Sequence, residues 1–279
     1  IIYILSLSRS GSTFLQSLIG SHGEIVGIGE VGHVLKEYCQ EITPPILSEN
    51  KSNHCSCGVE RKECVFWGAV LRKLPLLSKE AGFELVLKHF NNVFPNKVLL
   101  DSSKSINILE EYYLPRLGTL KDRGLGLNVK VLFLVRDFRG WVTSIKKHNL
   151  RLGRSKIWYT STLVNSYKWL YVTLRWLRKL KNQDIAFLPI CYDNLIFDTE
   201  MQMQRIYEFI ELPWRNGIKV SYADIHELYG NLNVRSNPRR MDSIVYDNDW
   251  MHNWNFSIWS PAYAPVALFN ASYARRTAT

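Results

Sequence analysis

Apolar runs alternate with amphipathic stretches along most of this chain. The first run, Ile1-Ile2-Tyr3-Ile4-Leu5-Ser6-Leu7, gives way at Ser8-Arg9-Ser10-Gly11-Ser12-Thr13 to Phe14-Leu15-Gln16-Ser17-Leu18-Ile19. A β-branched run of this length predicts a buried strand, and Ser and Thr at the break predict a helix start. The same reading places strands over residues 1–7, 97–101, 130–135 and 185–191, and helices over 13–21, 106–117, 140–149, 155–181 and 200–211. Strand–helix alternation argues for a parallel sheet joined by right-handed crossovers. The expected fold class is therefore α/β, with three layers and a central parallel sheet flanked by helices. One domain is expected over residues 1–279, with a cysteine-containing irregular insertion at about 39–65 that includes Pro44-Pro45 and Gly58. The stretch after Pro238 is rich in Trp, Tyr, Asn and Pro without a clear period, and is expected to wrap the site rather than build a second core. The chain opens without Met and inside a strand, which predicts further residues upstream.

A strand, a small-residue turn and a helix N-terminus aim unpaired backbone N–H groups at one point, where the helix dipole also favours negative charge. The turn approaches the nucleotide-binding frame G-x-x-x-x-G-K-[ST], which makes the expected fold P-loop-like. Gly11 and Thr13 fit, but Ser6 replaces the first glycine and Ser12 replaces the lysine. A cation stands instead at Arg9, whose planar fork suits two oxygens of a phosphate or sulfate. The loop should hold an anion, in a geometry other than that of a lysine-and-magnesium NTPase. A Ser-capped helix with a solvated arginine is the plainer alternative.

Downstream, Val129-Lys130-Val131-Leu132-Phe133-Leu134-Val135 is the near-continuous apolar run of a parallel strand covered on both faces. It ends in Arg136-Asp137-Phe138-Arg139, at the carboxyl end where open α/β sheets place their ligands. Ser144 follows eight residues after Arg136, about two helical turns, so both could reach one phosphate. The alternative is an Arg136–Asp137 surface pair with a solvent-facing serine.

These two segments resemble the paired signatures of the PAPS-dependent sulfotransferases of bacterial type, where PAPS is 3′-phosphoadenosine 5′-phosphosulfate. Ser8-Arg9-Ser10-Gly11-Ser12-Thr13 is similar to that family's 5′-phosphosulfate loop, and Arg136-Asp137 with Ser144 to its 3′-phosphate motif. Supporting matches are Cys55-Ser56-Cys57-Gly58 with Cys64-Val65-Phe66-Trp67, Leu100-Asp101-Ser102-Ser103-Lys104, Tyr192-Asp193-Asn194-Leu195 and Gly230-Asn231. They follow the family's order across roughly residues 1–254. The resemblance implies transfer of a sulfuryl group from PAPS to an acceptor hydroxyl, or an amine, with release of adenosine 3′,5′-bisphosphate. It implies donor contacts from Arg9, Ser10, Gly11, Ser12 and Thr13 at the phosphosulfate, and from Arg136 and Ser144 at the 3′-phosphate. Tyr192 would contact adenine, and Arg235 would close over the nucleotide, although it lies one residue further from Gly230-Asn231 than the family pattern has it. Asp249-Trp250 is similar to a closing acidic–Trp pair with a structural role.

Such a reaction needs cations where charge grows on the leaving phosphate, and a base for the acceptor proton. Arg9 is the first candidate cation. Lys104 is the second, unless it is a solvated lysine opening the next helix. For the base, the resemblance implies Glu30, as in family members that use a glutamate after the phosphosulfate loop. Gly29 and Gly32 flank Glu30 and would permit close backbone approach to a ligand. His33 is the rival, as in the cytosolic members, and a capping role for Glu30 is the third reading. The transferred group carries a single negative charge, so no metal is required.

The charge balance, 35 Lys and Arg against 25 Asp and Glu for a net +10, suits an anionic nucleotide, an anionic acceptor or a nucleic acid. No nucleic-acid signature accompanies it. No apolar run reaches the 18 or more residues of a membrane span. The aromatic stretch 169–180 is punctuated by Arg175, Arg178 and Lys179 and reads as an amphipathic surface helix. A cytoplasmic location and a small-molecule, carbohydrate or other hydroxylated acceptor are the corresponding expectations. Acceptor contacts are expected from residues 33–95, 148–165 and 236–279, with Trp67, Trp158, Tyr159, Trp254 and Trp259 among them. Two other functions stay open. A P-loop kinase or NTPase would use Asp101 as a magnesium-binding strand end, and a basic nucleotide- or RNA-binding module would not catalyse at all.

Five cysteines stand at 39, 55, 57, 64 and 191. Cys191 lies in a predicted strand and reads as core. Cys55-Ser56-Cys57 with Cys64 departs from the usual C-x-x-C zinc spacing, leaving a disulfide, free thiols and structural zinc all open.

Overall fold

A computed structural model of the chain describes residues 1–40, 54–115, 128–183, 185–214, 225–230, 246–253 and 260–278. Five strands form one sheet: β1 (Ile2–Ser6), β2 (Ile25–Gly29), β3 (Val98–Lys104), β4 (Lys130–Val135) and β5 (Phe187–Cys191). Their order is β2-β3-β1-β4-β5, and the expected α/β class with a parallel sheet flanked by helices is what the chain adopts. β3 pairs in parallel with both β1 and β2, with Leu100 opposite Ile2 and Gly27. The chain divides into two compact units, the first made of residues 1–5, 12–131 and 215–243, the second of 6–11, 132–214 and 244–279.

In the first unit, α1 (Ser12–Ile19), α2 (Val31–Tyr38), α3 (Trp67–Lys73) and α4 (Lys79–Val93) accompany the strands. Ile4, Leu5, Leu15, Ile28, Val34, Leu35, Phe83 and Val86 are fully buried between them. α4 starts where Ser78 accepts a hydrogen bond from the Ala81 N–H, and its Phe83, Val86 and Phe90 recur at helical spacing. β2 lies outside the sequence expectation because Gly27 and Gly29 dilute its apolar signal. β2 is an edge strand whose free side is taken by Ile225, bridged to Gly27. β3 runs three residues beyond its expected end. Its Asp101 and Ser102 are buried polar residues that an apolar pattern cannot detect. Within the helix expected at 106–117, the described part is one turn at Ile106–Ile108 that widens into a π-helical turn at Leu109–Tyr113. Of the expected insertion, residues 41–53 lie outside the described residues.

In the second unit, β4 and β5 accompany α5 (Phe138–Arg151), α6 (Thr162–Asn182), α7 (Tyr192–Phe197), α8 (Thr199–Ile210) and α9 (Ala264–Arg276). The helix expected over 155–181 is interrupted at Ser161, which is extended and caps α6 by accepting from the Val164 N–H. Trp169 on α6 is fully buried, with its ring 5.9 Å from Phe138 and 5.7 Å from Phe269. α9 joins the existing core through Val266 and Tyr273, and the Tyr273 hydroxyl donates to the Phe133 carbonyl at 3.0 Å. Cys191 is buried, as expected. Among the described residues no helix is long and apolar enough to cross a membrane.

Candidate active site

The loop after β1 is built from conformations that few residues tolerate. Arg9 has φ +72° and Gly11 has φ +93°. A Cβ at Gly11 would stand 2.3 Å from Cε2 of Tyr192, so glycine is the only residue that fits there. The Ser10 N–H donates to the Leu7 carbonyl at 3.2 Å, and Trp141 Nε1 donates to the Ser8 carbonyl at 2.8 Å. α1 then begins at Ser12, and both Ser12 and Thr13 are buried. Ser10 is buried too, and its hydroxyl finds no hydrogen-bond partner among the described residues.

Within the second unit, residues of the two sequence motifs come together. Arg9 Nε donates to Ser144 Oγ at 3.3 Å, and Arg136 Nη1 donates to the Arg9 carbonyl at 3.4 Å. The ring of Tyr192, packed on Gly11, lies 5.0 Å from Arg136 Cζ. Arg136 is 6% exposed and is no surface partner of Asp137. It pairs instead with Asp247, Nη2 to Oδ2 at 3.0 Å, and its carbonyl accepts from Trp169 Nε1 at 3.1 Å. Asp137 serves α5, accepting from the Arg139 N–H at 2.8 Å and from its guanidinium, with Asn270 on its other oxygen. Ser144 is buried on α5 rather than turned to solvent. Burial and the neighbouring Arg136 and Arg151 lower the Arg9 pKa. Burial and the cations Arg9, Arg154 and Arg151 likewise lower that of His148. Cations gathered so closely destabilise one another, and a bound anion relieves that strain.

The second cluster lies in the first unit, at the carboxyl ends of β2 and β3. Glu30 stands at the N-cap position of α2, but its side chain makes no capping bond, which removes the capping reading. The first turn of α2 is held by β3 instead: Asp101 Oδ1 accepts from the Val31 N–H at 3.4 Å, and Ser103 Oγ from the Gly32 N–H at 2.9 Å. Lys104 closes β3 and places Nζ 2.6 Å from Glu30 Oε1, so it is neither solvated nor the opening of a helix. Asp101 is fully buried, and Ser103 N–H and Oγ engage Oδ1 while the Tyr113 hydroxyl engages Oδ2 at 2.5 Å.

Several expectations change here. The space beside Gly29 and Gly32 belongs to the protein: a Cβ would stand 2.9 Å from Glu227 Cγ and 2.6 Å from Ile108 Cδ1 respectively. His33 lies along α2 toward Glu37, Nε2 to Oε2 at 3.6 Å, with its ring 4.3 Å from that of Tyr229. Trp67 is fully buried and donates to the His226 carbonyl, so it cannot line an acceptor pocket, whereas Trp158 is exposed. Arg235, Trp254 and Trp259 lie outside the described residues. Asp249 pairs with Lys147, and the Trp250 ring lies 4.0 Å from Arg139 Cζ. Asp247, Trp141 and Trp169 carried no local signal, since each acts on a motif residue through the fold. All five cysteines are free thiols, with Cys55, Cys57 and Cys64 close to His226.

A model of the sulfotransferase family matches residues 2–216. Among solved structures, a sulfotransferase domain from the curacin biosynthetic pathway is 16% identical, covers 98% of this chain and 97% of its own, and superposes with a TM-score of 0.59. A sulfotransferase domain from the Synechococcus PCC 7002 olefin synthase is 17% identical, covers 98% and 94%, and superposes with a TM-score of 0.54. No curated protein matches the chain. The structural likenesses are likenesses of fold, while the family match spans more than half of the sequence and includes both motifs. The chain belongs to the sulfotransferase family.

Proposed function

We propose that the chain transfers a sulfuryl group from PAPS to an acceptor hydroxyl, or less favourably an amine, and releases adenosine 3′,5′-bisphosphate. The observation that carries this reading is the Arg9–Ser144 hydrogen bond with Arg136 on the Arg9 carbonyl. It joins residues from the two motifs that a doubly phosphorylated nucleotide must engage together. The donor set fits: an arginine fork, the buried Ser10 hydroxyl with no hydrogen-bond partner among the described residues, and cations whose charge asks for an anion.

Arg9 and the backbone N–H groups of Ser10 to Thr13 hold the 5′-phosphosulfate, and Arg136 with Ser144 holds the 3′-phosphate. Tyr192 supports the loop through Gly11 and presents its ring to adenine. Glu30 takes the acceptor proton as the acceptor oxygen bonds to sulfur and the sulfur–oxygen bond to the 5′-phosphate breaks. The electron pair of that bond stays on the phosphate oxygen, where Arg9 is the first candidate to stabilise it and Lys104 the second. The basic surface steers the anionic donor inward.

The kinase reading fares worse. Ser12 replaces the required lysine, and Asp101, its magnesium ligand, has both oxygens committed inside the protein. Calorimetry with adenosine 3′,5′-bisphosphate and with ATP, each with and without EDTA, tests the donor. Metal-independent binding of the bisphosphate is expected, and ATP binding that needs magnesium overturns the reading. Sulfuryl transfer from PAPS across phenol, sugar, alcohol and amine acceptors then identifies the acceptor class.

A further inference from the structure

Three thiols and an imidazole from separate stretches of the first unit converge on one point. The ligand atoms of Cys55, Cys57, Cys64 and His226 all lie within 4.8 Å of one another. Cys57 Sγ is 3.9 Å from Cys64 Sγ, and Cys64 Sγ is 3.3 Å from His226 Nδ1. A tetrahedral zinc ion, with bonds of about 2.3 Å to sulfur and 2.0 Å to nitrogen, holds its sulfurs roughly 3.8 Å apart and sulfur from nitrogen roughly 3.5 Å apart. A disulfide needs about 2.05 Å between sulfurs, so the 3.9 Å spacing suits a shared ion and not a bond. We propose that Cys55, Cys57, Cys64 and His226 form a closed structural zinc site.

The surrounding backbone is organised for such a ligand set. Gly58, at φ +95°, closes a tight turn in which its N–H donates to the Cys55 carbonyl at 3.0 Å. Cys55 N–H donates to the Val59 carbonyl, and His54 bridges Glu60, so a small hairpin presents the Cys55 and Cys57 thiols. This turn explains how a C-x-C spacing serves where C-x-x-C is usual. The Trp67 N–H donates to Cys64 Sγ at 3.4 Å, as a metal-bound thiolate requires. His226 is fixed through its backbone: its N–H donates to the Gly27 carbonyl at 2.6 Å and its carbonyl accepts from Trp67 Nε1 at 2.5 Å. Phe94 and Phe66 pack on its ring at 5.4 and 6.5 Å, giving the site an apolar wall. Cys55, Cys64 and His226 are all buried.

Four protein ligands leave no position for substrate, so this zinc is outside the chemistry. Its work is mechanical. It ties the hairpin and residues 225–230 to one another beside β2, where Ile225 pairs with Gly27. Tyr229 of the same segment packs its ring against His33 of α2, the helix that Glu30 immediately precedes. The ion thus braces the wall behind the proposed base.

Metal analysis of the full chain, purified under reducing conditions without chelator or polyhistidine tag, tests the proposal. About one zinc per chain is expected. Exchange with cobalt should give the visible absorption of tetrahedral thiolate coordination, which a merely adsorbed ion lacks. Cys57→Ser should lose the metal and Cys39→Ser should keep it. A zinc-free protein that takes up none on titration, one that carries iron instead, or one whose cysteines are disulfide-linked overturns the assignment. The wild-type measurement decides even if Cys57→Ser fails to fold. The metal readout is independent of the nucleotide, so failure here leaves the PAPS reading standing.

Discussion

Lys104 and Glu30 meet as an ion pair in which each side chain is only 16% exposed. The lysine reaches it from a left-handed backbone, φ +67°, at the last residue of β3. A β-carbon residue in that region is strained, and the pairing with Glu30 is one compensating contact. If Glu30 is the base, Glu30→Gln lowers kcat about 10²-fold or more while leaving bisphosphate affinity within about twofold. His33→Ala leaves kcat within a few-fold. Steady-state kinetics with calorimetry checks both. The opposite pattern, activity kept in Glu30→Gln and lost in His33→Ala, transfers the role to His33.

Arg136→Ala should weaken adenosine 3′,5′-bisphosphate binding by about 1.5–3 kcal/mol, roughly 10- to 150-fold, because a charge-assisted contact is lost. The fold should survive. Asp247, the abandoned partner, has a side chain 46% exposed and regains water. Unchanged affinity in a folded variant refutes the assignment of Arg136 to the 3′-phosphate.

Asp247 competes with that phosphate for the same guanidinium. Asp247→Asn removes the competing charge and should tighten bisphosphate binding by roughly two- to fivefold, the range of a partly exposed ion pair. The gain should shrink as salt is added. Weaker binding in this variant would show that Asp247 orients Arg136 rather than competing for it.

The parts of this site that were legible in sequence are those written in local pattern. β1 and β4 are continuous apolar runs, and the residues just beyond each, Arg9 and Arg136, fall where an α/β sheet binds ligands. β2 escaped because glycines interrupt it, although α4 had a readable signature in Ser78, Phe83, Val86 and Phe90. Glu30 and Lys104 were each named as candidates, but their pairing spans 74 residues and no local rule announces it. Asp247 is the same case: it meets Arg136 across 111 residues. Asp101 could serve as a magnesium ligand in the kinase alternative because a strand-end carboxylate looks alike in sequence whether it faces a cleft or the core. Only its partners Ser103 and Tyr113 tell the two apart.

Those partners give Asp101 an unusual titration. Burial pushes its pKa up from 3.8 to about 6, against the opposing hydrogen bonds from Ser103, Tyr113 and the Val31 backbone. Between these values the unfolded chain has released the proton that the folded chain retains, so stability falls as pH rises. A shift of about two units corresponds to roughly 3 kcal/mol, fully present below about pH 3 and gone by about pH 7. Asp101→Asn does not titrate and keeps an acceptor for the Ser103 and Val31 donors. The stability of the wild type relative to Asp101→Asn should therefore decline by roughly 3 kcal/mol from pH 3 to pH 7 and level off above it. Urea unfolding of both proteins at constant ionic strength measures this directly. A difference that stays flat across the interval would mean that Asp101 titrates as an ordinary carboxylate. Its grip on the first turn of α2 would then have to rest on hydrogen bonds to a charged group.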